Sequence, residues 1–315
     1  MNKLIAIIGP TAVGKTALSF ALADYFHTEL VSGDAYQIYR HMNVGTAKPT
    51  AEELQRYTHH LIDIADPDEP YSAALFCKMA GQAIDGIASR GMLPILVGGT
   101  GLYVQSLLEG YRFESSGSDE DARCRAKERI AALSEQALKD YIVSHTDWQP
   151  ADWHELLANT NRLVRLIAAV EKGEGRQFVR AGKANGLVYD AVVIGLALPR
   201  SVLYERIEKR VDMMMKSGWP EEVRQLLEAG VSLQSQAMKA IGYEELAAYC
   251  QGNMSLEDAA ASIKTRTRRF AKRQLTWYRR MPYIQWFDKE AYESDEALAQ
   301  AVISRIEQTY DREHD

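Results

Sequence analysis

The chain has 315 residues, 46% of them apolar and 25% charged, with a net charge of −6. This is ordinary composition for a globular protein, and the length allows two domains or one domain carrying an insertion. No apolar run approaches the roughly 18 residues that span a bilayer, so no membrane partner is expected; Cys77, Cys124 and Cys250, far apart and without a CxxC, argue against a disulfide framework or a zinc site and fit a reducing cytoplasm.

The first predicted element is a buried strand over Lys3–Ile8, too short for a signal-peptide core and without a cleavage pattern. Gly9-Pro10-Thr11-Ala12-Val13-Gly14-Lys15-Thr16 follows and matches G-x-x-x-x-G-K-[ST] in full. A helix is predicted over Lys15–Tyr25, which completes the strand–loop–helix setting that the motif requires. In such a loop the backbone N–H groups turn around phosphate oxygens and the helix N-terminus adds partial positive charge. Lys15 supplies a mobile cation and Thr16 a hydroxyl for Mg²⁺. A short second strand, Glu29–Ser32, runs into Gly33-Asp34. Strand C-terminal ends in an open α/β sheet face the ligand crevice. Asp34 is therefore predicted opposite the loop, as a general base, a Mg²⁺ partner or a turn residue.

Ala73–Arg90 predicts a helix and Leu93–Val97 a strand. ATPases and GTPases with this loop place a carboxylate at the end of a later core strand. Here the strand runs into Gly98-Gly99-Thr100-Gly101, with a hydroxyl and no acid. That points to a different phosphate substrate, with Thr100 as a donor to a phosphate or bridging oxygen. From about Ser118 to Gly182 the pattern is helical, with an apolar stripe through Leu156, Leu163, Ile167 and Val170. A strand returns at Tyr189–Ala197, and a helix follows with Leu203, Ile207, Val211 and Met215 four apart. The same helix carries Arg206 and Arg210 on one face. The fold class is α/β: a P-loop NTPase-like parallel-sheet core (1–115 and 185–287) with a mainly helical insertion (116–184). Residues 288–315 read as a charged tail with a frayed end, and a monomer is expected. Lys264–Arg280 holds eight cations and no acid, a patch that can steer a polyanion despite the negative total.

Several blocks together resemble the tRNA dimethylallyltransferase family. They are the loop Gly9–Thr16, Asp34-Ala35-Tyr36-Gln37-Ile38-Tyr39-Arg40, Gly45-Thr46-Ala47-Lys48-Pro49, Asp66-Pro67 with Tyr71-Ser72-Ala73, and Val97–Tyr103. Later blocks are Arg206–Arg210, Ile241-Gly242-Tyr243 and Phe270-Ala271-Lys272-Arg273-Gln274. Thr160, where many members have an acid, and Ala168–Gln177, which lacks a Thr-Gly pair, depart from the pattern.

The resemblance implies transfer of a dimethylallyl group from dimethylallyl pyrophosphate to the exocyclic amine of the adenine 3′ to a tRNA anticodon. It implies Asp34 as base, with Lys15, Thr100, Arg210 and Mg²⁺ on Thr16 stabilising the pyrophosphate leaving group. Gln37 has an amide suited to an adenine edge; Arg206 is read as an exposed helix arginine. The anticodon stem-loop is expected to meet Asp34, Ala35, Tyr36, Gln37, Thr100 and Arg123. Asn159, Arg162 and Arg165 are expected to clamp it, and Lys239, Ile241, Gly242, Tyr243, Lys272 and Arg273 to grip its backbone. Three alternatives remain: a P-loop small-molecule kinase, an RNA-binding GTPase, for which no N-K-x-D motif is found, and a relative that prenylates free adenine nucleotides.

Overall fold

A computed structural model describes residues 1–111, 120–150, 152–180 and 186–311. The chain divides into two compact units, one of residues Met1–Leu108 with Leu187–Asp315 and one of Glu109–Gly186.

The larger unit is built on a six-stranded, all-parallel sheet. Its strands are β1 (Lys3–Ile8), β2 (Leu30–Ser32), β3 (His59–His60), β4 (Ile95–Gly98), β5 (Asp190–Ala197) and β6 (Ile284–Asp288), in the spatial order β3-β2-β4-β1-β5-β6. Strand side chains alternate faces, and a parallel sheet is buried on both. Accordingly Leu4, Ala6 and Ile8 of β1 join one core and Ile5 and Ile7 the other. On the first face pack α3 (Ala73–Ser89), α4 (Gly101–Leu108), α11 (Trp219–Glu228) and α12 (Tyr243–Cys250). On the second lie α1 (Lys15–Phe26), part of α10 (Arg200–Lys216) and α14 (Asp295–Asp311). The long helix α13 (Leu256–Tyr278) sends Ile263 and Tyr278 to the first core and Ala271 to the second.

The smaller unit contains α5 (Glu120–Ala132), α6 (Glu135–Thr146), α7 (Trp153–Ala158), α8 (Thr160–Glu171) and α9 (Gly175–Arg180). Its core includes Ala122, Leu138, Ile142, Leu156, Leu163 and Ile167. The helix start predicted at Ser118 lies outside the described residues.

The charged tail is a correction. Residues 284–288 form the sixth strand, with Gly195 of β5 registered on Trp286. Beyond it α14 buries Leu298, Ala299, Val302, Ile303, Ile306 and Tyr310 against α1 and the sheet. The charges that made this stretch look solvated occupy the outer face of an amphipathic helix. The last four residues, 312–315, lie outside the described residues.

Candidate active site

With every strand parallel, the loops after β1, β2, β4, β5 and β6 leave the same edge of the sheet. β1 and β4 are registered Ile8 on Gly98, and β2 and β4 Ser32 on Val97. The phosphate loop, Gly33-Asp34 and Gly98-Gly99 therefore meet around one cavity of about 150 Å³. Lys15, Thr16, Asp34, Gln37 and Arg210 all line it.

The loop is wound as its sequence requires. Gly14 caps α1 in the left-handed region at φ 106°, open to glycine without strain. Ala12 takes φ 65°, and Val13 is buried in the core, so its side chain anchors the loop. Lys15 donates to the carbonyls of Gly9 and Pro10 at 3.0 and 2.9 Å. Burial, helped by the Arg210 guanidinium, pulls the Lys15 pKa down to about 7, against the opposing pull of Asp34. Burial also disfavours the charge on Arg210, and Asp34 again opposes it. One carboxylate thus faces two cations packed close enough to repel each other.

Asp34 takes the turn role, one of the three expected of it. Its Oδ1 accepts from the backbone of Tyr36 at 2.8 Å and Gln37 at 3.3 Å, which is turn chemistry. The carboxylate still lines the cavity. Ala35 donates its N–H to Thr100 Oγ1 at 3.0 Å, which ties the loop after β4 to the loop after β2 and leaves the hydroxyl proton of Thr100 to donate. Tyr36 is half-buried, and burial with the Asp34 charge pushes its phenol pKa up. The Gln37 amide is held at both ends. Ser32 donates to its Oε1 at 3.0 Å, and its Nε2 donates to the carbonyls of Thr46 at 3.3 Å and Ala47 at 3.2 Å. Both amide protons are spent, so the group it can offer an adenine is the second lone pair of Oε1.

Arg206 is not the exposed helix arginine expected. A Cβ on Gly14 would lie 3.7 Å from its guanidinium and 2.8 Å from Lys289 Nζ, so both cations border the phosphate loop. Lys289 follows β6 directly and is held by Asp295 at 2.6 Å. Gln274 was also missed as a site residue. Buried on α13, it accepts from Thr11 N at 2.9 Å and donates to Gly99 O at 2.7 Å, bridging the two loops of the cavity. Its buried position within an otherwise basic run, next to Ala271, was the available signal.

Tyr243, expected as a tRNA contact, turns its side chain inward. Its side chain is wholly buried, with its hydroxyl donated to Glu222 at 2.7 Å, and Gly242 is buried beside it. Lys239 is exposed and Ile241 half-buried.

Within the smaller unit, Asn159 caps α8 through its side-chain oxygen, which accepts from Arg162 N at 3.1 Å. Arg162 is exposed over the Trp148 ring, whereas Arg165 is half-buried against Phe178. Burial, then the neighbouring Arg123, lower the Arg165 pKa, so these two cations share one side of the helical core.

The sequence model of the family described as IPP transferase matches residues 37–281, and that described as isopentenyl transferase matches residues 2–65. A tRNA dimethylallyltransferase of Streptococcus equi subsp. zooepidemicus is 45% identical over 311 residues, covering 97% of each chain. One from Bacillus subtilis is 41% identical over 290 residues, covering 90% of each. The crystal structure of the full-length tRNA isopentenylpyrophosphate transferase from Bacillus halodurans covers 100% of both chains at 38% identity, with a TM-score of 0.73. A eukaryotic dimethylallyltransferase captured acting on tRNA covers 96% of this chain and 78% of its own, at 26% identity and a TM-score of 0.78.

Proposed function

The chain belongs to the tRNA dimethylallyltransferase family, and from that premise we propose that it transfers a dimethylallyl group from dimethylallyl pyrophosphate to the exocyclic amine of the adenine 3′ to a tRNA anticodon. The observation that carries this reading is the single cavity that the phosphate loop and the Asp34 carboxylate both line.

The amine is a weak nucleophile because its lone pair is delocalised into the purine ring. Asp34 accepts one amine proton as the new N–C bond forms, which general-base catalysis favours. The bond between the prenyl carbon and its oxygen breaks, and its electron pair leaves on pyrophosphate. Lys15, Arg210 and the loop amides stabilise that charge, and Thr100 donates its hydroxyl proton to the bridging oxygen. Gln37 Oε1 accepts a hydrogen bond from the second amine N–H, whose proton stays on the product, and orients the base. The Thr16 hydroxyl and the Asp34 carboxylate line the same cavity, a donor set that fits Mg²⁺ arriving with the pyrophosphate. When bound, such an ion neutralises phosphate charge. A kinase reading lacks its usual support, since β4 ends in Gly98-Gly99 with no carboxylate.

The adenine must leave its stack to reach the cavity, and extrusion costs least in a single-stranded loop. The exposed cations of α13, with Lys239, suit the phosphate backbone. Arg162 and Arg165, with Asn159 at the same end of α8, suit the phosphate backbone as well.

Single-turnover prenylation with saturating donor and tRNA tests the proposal. Asp34→Asn keeps size and most hydrogen bonding, and a loss of roughly 10²–10⁴ in rate is expected, with far smaller changes in donor and tRNA binding. Asp34→Asn at the wild-type rate removes Asp34 as the base. No prenylation of tRNA by the wild-type chain sinks the assignment.

A further inference from the structure

We propose that Glu222 is the positioning residue for Gln37, and that through it the chain presents an acceptor, rather than a donor, to the adenine amine. The inference rests on the reading of Gln37 given above.

Glu222 lies in the first turn of α11, outside the cavity. Its Oε2 accepts from Asn43 N and Val44 N, both at 2.7 Å. Its Oε1 accepts from Gly45 N at 3.1 Å and from the Tyr243 hydroxyl at 2.7 Å. Three successive backbone N–H groups make a concavity of the kind that binds anions. Here the chain fills it with its own carboxylate. Burial and the Glu222 charge hold the Tyr243 phenol well above its ordinary pKa, so Tyr243 remains a donor.

The loop so gripped continues into Thr46 and Ala47, whose carbonyls take both protons of the Gln37 amide. Trp219, the first residue of α11, closes the other side. A Cβ on Gly45 would lie 2.1 Å from the indole Nε1, so the loop backbone passes close against the ring and only glycine fits there. The path is continuous: Glu222 fixes residues 43–45, these fix the next two carbonyls, and the carbonyls fix which end of Gln37 faces the cavity. With the carbonyls displaced, only the Ser32 hydroxyl holds the amide, and because a hydroxyl can accept as well as donate it permits the amide to turn over. Its NH₂ would then meet the adenine NH₂, donor against donor. A carboxylate is required because four donors converge on it. A glutamine would offer one oxygen and turn an N–H toward two of them.

The test is a double-mutant cycle in single-turnover prenylation of an anticodon stem-loop, with saturating dimethylallyl pyrophosphate. Glu222→Gln should slow transfer roughly 10–100-fold, the scale of a misplaced orienting group, and Glu222→Asp, which keeps both oxygens, should restore most of it. Glu222→Gln combined with Gln37→Ala should be no slower than Gln37→Ala alone. Donor and stem-loop dissociation constants should stay within about twofold. If Glu222→Gln does not fold by circular dichroism, Tyr243→Phe, which removes one of the four bonds, enters the same cycle with a smaller expected effect. Rate losses that multiply in full, or Glu222→Gln at the wild-type rate, overturn the inference. Gln37→Ala at the wild-type rate overturns the reading of Gln37 and the inference with it, whereas no transfer by the wild-type chain is the separate failure of the proposed reaction.

Discussion

Lys15 carries the clearest pH signature among the site's residues. With its pKa lowered from an ordinary 10.5 to about 7 by burial and Arg210, it is half-protonated near neutrality in the free protein. A pyrophosphate binds the protonated form and raises that pKa. Donor affinity is therefore greatest below pH 7 and falls as pH rises through 7, by up to about tenfold per unit, until the bound-state pKa is reached. Calorimetric titration with dimethylallyl pyrophosphate at pH 8, in two buffers of different ionisation heat, should show uptake of about one proton. No proton uptake, with affinity flat between pH 7 and 9, would rule Lys15 out as the titrating contact. For folding the sign differs: above pH 7 the unfolded chain holds this proton more tightly, so the free protein gains stability from Lys15 as pH rises toward 10.5. Lys15, Thr16 and Asp34 were legible in the sequence because a local motif and a strand end define them. Glu222 and Gln274 were not, because each reaches its partner across a large sequence separation, 179 residues from Asn43 to Glu222 and 263 from Thr11 to Gln274, and Lys289 was not because it meets the loop at Gly14 from the far end of the chain.

The helix α13 shows how far a charge run can be read. Its first three cations are spent inside the protein: Lys264 pairs with Asp212 at 2.6 Å, Arg266 with Glu244 and Glu245 at 2.7 and 2.8 Å, and Arg268 with Glu208. Arg269, Lys272, Arg273, Arg279 and Arg280 are exposed and make no ion pair among the described residues. Composition makes the run visible but not the split, since the neutralising acids belong to α10 and α12. Reversing Lys272, Arg273 and Arg279 to glutamate should therefore weaken tRNA binding and flatten its log–log salt dependence by about 0.7–0.9 for each phosphate no longer neutralised. Reversing Lys264, Arg266 and Arg268 should leave that slope alone and lower the melting temperature. Equal slopes for the wild type and the first variant would remove the exposed half of α13 from the interface.

Across the whole molecule, the parallel core was legible because its strands are continuous apolar runs, whereas β3, two residues long, and β6, with polar Gln285 and exposed Trp286, carry no such run. Missing β6 made the rest of the chain look like a tail. Yet Tyr310 closes the sheet, its one hydroxyl proton shared between the carbonyls of Leu4 and Asp190, 3.0 Å away each. Each buried apolar side chain contributes about 1.5–3 kcal/mol, so deletion of residues 294–315, which removes those of α14, costs as much as an ordinary domain's whole stability of about 5–15 kcal/mol. The deleted chain should show no cooperative melt by circular dichroism and no donor binding; a native melt would make α14 dispensable. The placement of β1 between β4 and β5 also sets a timetable for synthesis. When β4 has left the ribosome, β1 has one neighbour, and its other edge must wait for residues 190–197. At about 5–20 residues per second that interval is roughly 5–18 s, during which Lys3–Ile8 presents an apolar edge with nothing to pair with, the kind of edge that recruits another nascent chain. The intervening helices have a core of their own. No residue of that core belongs to β5, so the younger part of the chain is able to mature first.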